Sequence, residues 1–391
     1  MANFTSSRIG FGPMQVDWEI RVDFGKLRAE RLQRSRQAMG KAGIDYMVLV
    51  RAENARYTTG IKRLYWPTVR LGGGPVIVLP RDGEPAVFIT DVDFAASVLP
   101  WLRKDMFRDA CEMDWEVDVA RFSQVIKELF GSRLETATIG VDLWSPAMNT
   151  VLHEAFSKAR FVDGQKAMIE ARMMKTAEEI ACMKMGYAIS EAGMAAAVAA
   201  LTPGVRECEL VGVCFNKFWQ LGSETTQCSQ VVNSGPGTYP YRRFHSDRII
   251  QWGDFVNMDF GACFSGYFGD FCRAFVCGDK PSPKQKEILK KAYDLQMEAL
   301  NALRPGVSPS QINRELGRKS FGHGIGIAAF EVPHLRHTDE YIIQPGMTFS
   351  VTTPVPLGDP SVGGVHLEDE VVMTETGCDV YSTFPYTGVN A

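Results

Sequence analysis

Two spacings of apolar residues alternate along the first part of the chain, and together they predict an α/β domain of about 160 residues. Apolar side chains recur at helical spacing over 24–42, on Leu27, Leu32 and Met39. A continuous apolar run at 46–50 follows and predicts a buried strand. Further along, the patterns predict a hairpin of strands 75–80 and 86–89, a helix over 116–130 and a strand over 138–141.

The later part of the chain repeats one arrangement of elements, which predicts two related halves. A long helix opens with a capping-box pattern at Thr176 and Glu179 and ends before a Pro-Gly-Val turn at 203–205. A second long helix, over 283–303, ends before the same tripeptide at 305–307. Such a repeat indicates two α/β halves related by pseudo-symmetry, and ligands from both halves can converge at the seam between them.

Composition and charge narrow the classes of function. The chain has 391 residues, enough for two domains, with 45% apolar residues and a formal net charge of −4. This balance gives no general attraction to nucleic acid or to an anionic membrane. No apolar run approaches the ~20 residues of a membrane span, and no signal-peptide pattern opens the chain. Nine cysteines without CxxC spacing predict reduced thiols and a cytoplasmic protein.

Candidate chemistry begins with two aspartates in a predicted hairpin. Residues 255–259 predict one strand, two glycines permit the reversal, and 267–275 predict the returning strand. Asp259 and Asp270 can then lie side by side on one face of the hairpin. Two adjacent carboxylates repel each other, so burying both requires a cation or a proton between them; the alternative is a solvated pair near a turn.

Further motifs follow the aspartates in a fixed order: His323 in Gly-His-Gly-x-Gly, Glu331 in Glu-x-Pro, Pro-Gly-Met at 345–347, and Glu368 in a late Glu-Asp pair. Together with Asp-x-Gly at Asp259 and a second Asp eleven residues later, this series resembles the pita-bread superfamily. That superfamily includes methionine aminopeptidase, aminopeptidase P, prolidase and creatinase. The resemblance implies an α/β (α+β) fold with a creatinase-like N-terminal domain, 1–165, and a pseudo-symmetric pita-bread catalytic domain, 166–391. It also implies a homodimer.

The resemblance implies a metal centre at Asp259, Asp270, His323 and Glu368. Oxygen donors with one imidazole suit Mn, Fe, Co or Zn, and the family binds one or two such ions per subunit. One further family ligand, a Glu, is replaced here by Thr352, and a neutral hydroxyl is a poor ligand for a hard divalent cation. The sequence therefore leaves open whether the centre holds one metal ion, two or none.

Residues around this centre depart from the family's peptidases. The peptidase His before Glu-x-Pro is Phe330 here, and Arg242 or Arg243 replaces a His before the first metal strand, with His245 shortly after. A guanidinium at that place predicts a small anionic substrate, and the alternative is a pair of surface charges. By resemblance, the other residues expected to face the substrate are His334, His366, Trp66 and Arg70. The expected catalytic residues are Glu331, His323 and Glu368, with a structural role for Glu331 left open.

These features predict a metal-dependent enzyme that cleaves a bond, with C–N hydrolysis leading, in a small carboxylate-bearing molecule. One alternative is a lyase similar to the dimethylsulfoniopropionate lyase of the same superfamily, suggested by Gly-Pro-Met-Gln at 12–15 and Thr-Phe-Pro-Tyr at 383–386. A second alternative is a true Xaa-Pro aminopeptidase or dipeptidase. A third is a non-catalytic binding protein on the same scaffold, which would not require all four metal-type residues.

Overall fold

Two β-sheets, one of six strands and one of seven, form the centres of two units of the chain. The computed structural model describes residues 22–62, 74–227, 231–278 and 280–387. The first unit is Asp23–Arg172, and the second extends from Met173 onward. Among the described residues, no helix combines the length and the apolar character that a membrane crossing requires.

The first unit alternates strands with helices, as its apolar pattern predicts. Its strands are β1 (Tyr46–Leu49), β2 (Val76–Pro80), β3 (Ala86–Ile89), β4 (Phe107–Asp109), β5 (Thr138–Val141) and β6 (Arg160–Asp163). Its helices are α1 (Phe24–Lys41), α2 (Ala52–Thr59), α3 (Val92–Val98), α4 (Glu116–Phe130), α5 (Pro146–Ala155) and α6 (Gln165–Met173). The sheet has the order β4-β3-β2-β1-β5-β6, with β1 antiparallel to β2 and parallel to β5. The α/β class is confirmed, and α1, β1, the β2–β3 hairpin, α4 and β5 lie where the pattern predicts them.

A buried polar network holds α6 within the first unit. The Asp142 carboxylate accepts hydrogen bonds from the Val50 N–H and from Asn54 Nδ2, both at 2.8 Å. Asn54 Nδ2 also donates to Gln165 Oε1 at 2.7 Å, and Arg172 donates to Asn54 Oδ1 at 2.7 Å. The expected boundary at residue 165 lies at the start of α6, whereas the two units divide after Arg172, since these bonds tie α6 to α2.

The second unit contains the predicted hairpin and the repeated helices. Its helices are α7 (Ala177–Ala200), α8 (Glu207–Gln220), α9 (Pro283–Ala302) and α10 (Pro309–Leu316). Its strands are β7 (Val231–Ser234), β8 (Phe255–Phe260), β9 (Cys263–Phe264), β10 (Tyr267–Phe268), β11 (Phe271–Val276), β12 (Gly322–Gly324), β13 (Thr348–Thr352), β14 (Gly358–Asp359), β15 (Gly363–Gly364), β16 (Glu368–Met373) and β17 (Cys378–Val380). The seven-stranded sheet has the order β12-β13-β16-β11-β8-β7, with β17 paired to β16.

The returning strand of the hairpin is shorter than predicted. The predicted strand over 267–275 is divided into β10 and β11. The break falls at Gly269, which packs so closely on α7 that an added Cβ would lie 2.8 Å from the Tyr187 Cα. Asp270 therefore follows an irregular step and enters the sheet just before β11.

The two halves of the second unit repeat one pair of backbone hydrogen bonds. In the first half, the Gly204 N–H donates to the Ile250 carbonyl at 2.9 Å, and the Ile250 N–H donates to the Val205 carbonyl at 2.8 Å. In the second half, the residues that make the same two bonds are Gly306, Ile343 and Val307. Both glycines have positive φ, 99° and 85°, which glycine adopts without steric cost. The predicted repeat is present, and it makes β8 equivalent to β13 and β11 equivalent to β16.

One buried ion pair joins the equivalent strands β11 and β16. The Arg273 guanidinium lies 2.7 Å from Asp369 Oδ1, and neither side chain is more than 1% exposed. The other oxygen of Asp369 accepts from Gln296 Nε2 at 2.8 Å and from the Tyr386 hydroxyl at 2.6 Å. Arg273 also donates to the Glu368 carbonyl at 2.8 Å. The pair therefore fixes the backbone from which the Glu368 side chain projects.

We predict that Arg273→Met lowers the free energy of unfolding by about 3–5 kcal/mol, because it leaves the Asp369 carboxylate buried without its cation. The double variant Arg273→Met with Asp369→Leu should recover most of this loss, since no buried charge remains. Urea unfolding of metal-free protein, followed by circular dichroism, measures both. Arg304→Met removes an exposed pair with Glu315 and should cost under about 1 kcal/mol. Equal losses in Arg273→Met and Arg304→Met would contradict the prediction.

Candidate metal and active site

A cavity of about 530 Å³ in the second unit contains most of the predicted site residues. The predicted residues that line it are Arg243, Asp259, Asp270, His323, Phe330, His334, His366 and Glu368. Gln227, Arg336 and Thr352 line the same cavity. Its volume is within the range of small-molecule sites, so it suits a ligand of that size.

Strand register places the carboxylates on one face of the sheet. Cys272 in β11 pairs with Asp259 in β8 on one side and with Glu368 in β16 on the other. Directly paired residues project to the same face, and residues two apart on a strand do so as well. Asp270, two residues before Cys272, therefore joins Asp259 and Glu368, and all three are buried.

Asp259 and Asp270 face each other across a shared hydrogen-bond donor. Gln227 Nε2 donates to Asp259 Oδ1 at 3.1 Å and also to Asp270 Oδ1, while the Tyr241 hydroxyl donates to Asp259 Oδ2 at 3.0 Å. Burial and the charge of Glu368 raise the pKa of Asp259 to about 6. Burial and the charges of Glu368 and Asp259 raise the pKa of Asp270 well above its usual value. Both shifts record the cost of placing negative charges together away from water.

His323 is oriented as a metal ligand would be. Its Nδ1 lies 3.0 Å from the Gly324 carbonyl, and its Nε2 lies 3.6 Å from Asp270 Oδ2 and 3.4 Å from Glu368 Oε1. A proton assigned to Nδ1 donates to the carbonyl and leaves the Nε2 lone pair directed at the carboxylates. Burial acts to raise the pKa of Glu368, but the imidazoles of His323 and His366, which face its two oxygens, hold that pKa below its usual value.

His366 lies on the other side of Glu368. Its Nε2 is 3.6 Å from Glu368 Oε2, and its Nδ1 is 3.4 Å from the Thr353 hydroxyl. The Tyr241 ring packs against the imidazole with centroids 4.6 Å apart. The local sequence does not predict these partners, because neither Tyr241 nor Thr353 lies in a motif with His366.

These residues fit a divalent cation. Two groups of three donors, each with its ligand atoms within 4.8 Å of one another, occur here: Asp270, His323 and Glu368, and Asp259, His366 and Glu368. A cation among buried carboxylates would relieve the repulsion that raises the aspartate pKa values. Thr352 pairs with Glu368 across β13 and β16 and lines the cavity, so it brings a hydroxyl to the place where the family has a carboxylate.

The substrate-side residues divide into those in the cavity and those outside it. Of the two arginines, Arg243 lines the cavity, whereas the Arg242 guanidinium lies 5.4 Å over the Phe244 ring. His245 is absent from the described lining of the cavity. Phe330 is 64% exposed and stacks on His323 with ring centroids 3.5 Å apart. The expected residues Trp66 and Arg70 lie outside the described residues.

His334 and Arg336 follow Phe330 at the cavity wall. Burial lowers the pKa of His334 to about 4, so its imidazole is neutral at pH 7. Arg336 was not predicted as a site residue. It lies two residues after His334 in the sequence, but only the fold shows that it lines the same cavity. With Arg243 it brings two guanidinium groups to one cavity.

Glu331 is placed differently from a catalytic base. Its Oε1 lies 2.7 Å from Lys175 Nζ, both side chains are 1% exposed, and it is not among the described lining residues. The Glu331 N–H donates to the Gly324 carbonyl at 3.0 Å, next to His323. The buried ion pair favours the structural role that the sequence leaves open for Glu331, because the Lys175 ammonium occupies one oxygen of the carboxylate. A catalytic role for Glu331 stays a prediction.

Comparisons with known proteins find similar sequences over most of the chain. Residues 181–375 match the profile of "Metallopeptidase family M24", and residues 31–174 match "Creatinase/Prolidase N-terminal domain". The chain is 27% identical to the Xaa-Pro dipeptidase of Pyrococcus furiosus, over 89% of this chain and 96% of that protein.

Solved structures give the same result. Dipeptidase PepE from Mycobacterium ulcerans superposes with a TM-score of 0.73 at 25% identity, covering 93% of this chain and 98% of that one. An Xaa-Pro dipeptidase from Bacillus anthracis, at 24% identity and a TM-score of 0.75, shares the fold over 92% of this chain and 98% of its own. The resemblance and the fold drawn from the sequence are confirmed.

We predict that Asp259→Asn stabilises the metal-free protein, relative to wild type, more at pH 7.5 than at pH 4. A carboxyl whose pKa is raised on folding binds more protons in the folded state, so the contribution of Asp259 to wild-type stability falls as pH rises from about 4 to about 6 and then levels off. Removing the carboxyl removes that loss. The difference in unfolding free energy between variant and wild type should be larger at pH 7.5 than at pH 4 by on the order of 1–3 kcal/mol.

Urea unfolding of chelator-treated protein at the two pH values measures this difference. Asp247→Asn, at an exposed position, is the control and should show no such dependence. A difference for Asp259→Asn that is the same at both pH values would contradict a carboxylate destabilised by its surroundings.

Proposed function

Because this chain belongs to the pita-bread superfamily of metallopeptidase family M24, we propose that it is a metal-dependent dipeptidase that hydrolyses the amide bond of Xaa-Pro dipeptides. The observation that carries this proposal is one buried cluster of three carboxylates and two imidazoles in a cavity that also presents Arg243 and Arg336. The similarity to the Xaa-Pro dipeptidase of Pyrococcus furiosus supplies the substrate class. The match to a metallopeptidase family supports hydrolysis and metal dependence.

The metal-binding residues we assign are Asp259, Asp270, His323 and Glu368. A divalent cation bound there would polarise the scissile carbonyl and lower the pKa of a bound water toward 7. The protein contributes a buried, fixed set of donors, because the His323 tautomer is held by the Gly324 carbonyl and Glu368 is held by the Ser350 hydroxyl at 2.6 Å. Such fixed partners orient ligands before the ion arrives.

The carboxylate of the dipeptide is bound, in this proposal, by Arg243. Its guanidinium lies in the cavity wall over Tyr241, at 5.6 Å from the ring centroid, and its charge acts on Asp259. Arg336 is the second candidate cation, and Asp339 lies 4.0 Å from its Nε. A guanidinium pairs with a carboxylate through two parallel hydrogen bonds, which fixes orientation as well as position.

His334 takes the role of the imidazole that the peptidases carry at the Phe330 position. A neutral imidazole has one N–H to donate, and at pH 7 His334 is neutral, since burial lowers its pKa to about 4. It lines the cavity beside Phe330, with ring centroids 6.1 Å apart. We assign it to donate a hydrogen bond to the substrate carbonyl. Glu331, paired with Lys175, positions the segment that carries Phe330.

A second candidate substrate is a small non-peptide amide with a carboxylate. The observation that favours it is Phe330, whose exposed ring covers His323 and gives the cavity an apolar wall where a peptidase has a polar group. Both candidates undergo the same C–N hydrolysis. They differ in whether a free α-amino group is present, which this apolar wall would not bind.

The test is hydrolysis of Xaa-Pro dipeptides and of matched N-acyl prolines by protein loaded with Mn²⁺, Co²⁺ or Zn²⁺, in H₂¹⁸O. Release of proline from the dipeptides, with ¹⁸O in the new carboxylate, is expected. Preference for the N-acyl prolines would favour the second candidate. A product without ¹⁸O would indicate elimination and overturn hydrolysis, as would metal-loaded protein that turns over neither substrate class.

We predict that Arg243→Gln raises KM for Xaa-Pro dipeptides by about 10–100-fold, with a smaller change in kcat, because a charged hydrogen bond contributes about 1.5–3 kcal/mol. Steady-state kinetics measure both constants. Xaa-Pro amides, which lack the carboxylate, should be turned over equally by variant and wild type. Arg242→Gln is the control, since that guanidinium lies over Phe244. An equal loss on free dipeptides and on their amides would contradict carboxylate binding by Arg243.

A further inference from the structure

Each oxygen of Glu368 faces one imidazole, and Oε1 also accepts a hydrogen bond from the Ser350 hydroxyl at 2.6 Å. Oε1 faces His323 Nε2 at 3.4 Å, and Oε2 faces His366 Nε2 at 3.6 Å. Each imidazole is accompanied by one aspartate, Asp270 on the His323 side and Asp259 on the His366 side. The cluster is therefore two sets of one imidazole, one aspartate and a shared glutamate.

The repeat within the second unit accounts for this arrangement. Asp259 lies nine residues after Ile250, and Thr352 lies nine residues after the equivalent Ile343. Asp259 pairs with Cys272, as Thr352 pairs with Glu368. Counting two residues back along β11 and β16 makes Asp270 and His366 equivalent. Since Asp270 is directed at the centre from the first half, the fold directs His366 at the same centre from the second.

The distances between the imidazole nitrogens and the Glu368 oxygens distinguish ligands of a shared ion from direct hydrogen bonds. Donor–acceptor distances in good N–H···O bonds are about 2.7–3.2 Å, shorter than the 3.4 and 3.6 Å found between the imidazoles and Glu368. Two atoms bound tetrahedrally to one ion at about 2.1 Å lie roughly 3.4 Å apart. The separations on both sides of Glu368 match donors that share an ion.

The imidazole of His366 is held in place by its surroundings. Its Nδ1 faces the Thr353 hydroxyl at 3.4 Å, the backbone N–H of His366 donates to Asn257 Oδ1 at 3.1 Å, and Tyr241 covers one face of the ring. A proton on Nδ1, the side that faces Thr353, leaves the Nε2 lone pair available to an ion. The ring is 2% exposed, so a role in contacting substrate, as expected from the sequence, is less suited to it than a role inside the cluster.

We propose that His366 is a metal ligand, and that with Asp259 and Glu368 it completes a second ion site in a chain where Thr352 replaces a family carboxylate. The first site is Asp270, His323 and Glu368. This inference rests on the metal-binding part of the proposed function and requires no substrate. In the proposed centre, each ion has the same set of ligands: one imidazole, one aspartate and the shared glutamate.

The experiment is titration of chelator-treated full-length protein with Co²⁺, followed by calorimetry and by the visible absorption of bound Co²⁺. Wild type should bind two ions. His366→Gln and His323→Gln should each lose one, and the absorption band that each variant loses should be the band that the other keeps. Thr353→Val should retain both ions but bind one about 10–100-fold more weakly, because it removes a partner of the ligand and not the ligand itself.

His334→Gln is the matched control: this histidine lines the same cavity but belongs to neither donor group, so both ions should remain. Circular dichroism and thermal unfolding of the metal-free variants establish that each is folded. Wild-type stoichiometry and affinity in folded His366→Gln would overturn the proposal. Loss of one ion in His366→Gln, together with no hydrolysis by wild type, would support it and refute the proposed function separately.

Discussion

Repulsion among Asp259, Asp270 and Glu368 is the constraint on which the second unit depends. Strand register brings all three onto one buried face, with Cys272 between the first and the last. Without a cation, burial and mutual charge raise the aspartate pKa values. The protein partly offsets the repulsion with hydrogen bonds from Gln227 and Tyr241. These donors would not repel a cation, because amide and hydroxyl groups carry no formal charge.

The same pairing that assembles the cluster needs a separate anchor. Arg273 and Asp369 occupy the positions next to Cys272 and Glu368, and their side chains project to the opposite face. Their charges compensate each other fully, with additional bonds to Asp369 from Gln296 and Tyr386. On one face of the paired strands β11 and β16, the charges of Arg273 and Asp369 compensate each other. On the other face, the carboxylates have no such cation among the described side chains and could bind an ion. The division follows from the alternation of side chains along a strand.

Sequence was sufficient where one residue type at a fixed strand position decides the outcome. Asp259, Asp270, His323 and Glu368 could be predicted to lie together because each lies in a motif, and the structure places all four in the lining of one cavity. It was insufficient where a side chain's partner is far along the chain. Nothing in the local sequence distinguishes Arg243 from Arg242, or reveals that Glu331 is paired with Lys175, 156 residues away. The division of the two units after Arg172 could not be predicted for the same reason, since Asn54 binds Gln165 and Arg172 through side-chain hydrogen bonds that no periodicity records.

Replacing a carboxylate by an imidazole changes which ions the cluster favours. With His366 as a ligand, each ion has one imidazole and two carboxylates, of which one is shared. The donors then carry less negative charge than in a site that retains the family Glu. Imidazole suits Zn, Co, Cu and Fe better than it suits Mg or Ca, while carboxylates alone favour the harder ions. The substitution at Thr352 and the imidazole at His366 therefore act in one direction. On the proposal that His366 binds an ion, they weaken the preference for hard, highly charged ions and favour borderline transition metals at both positions.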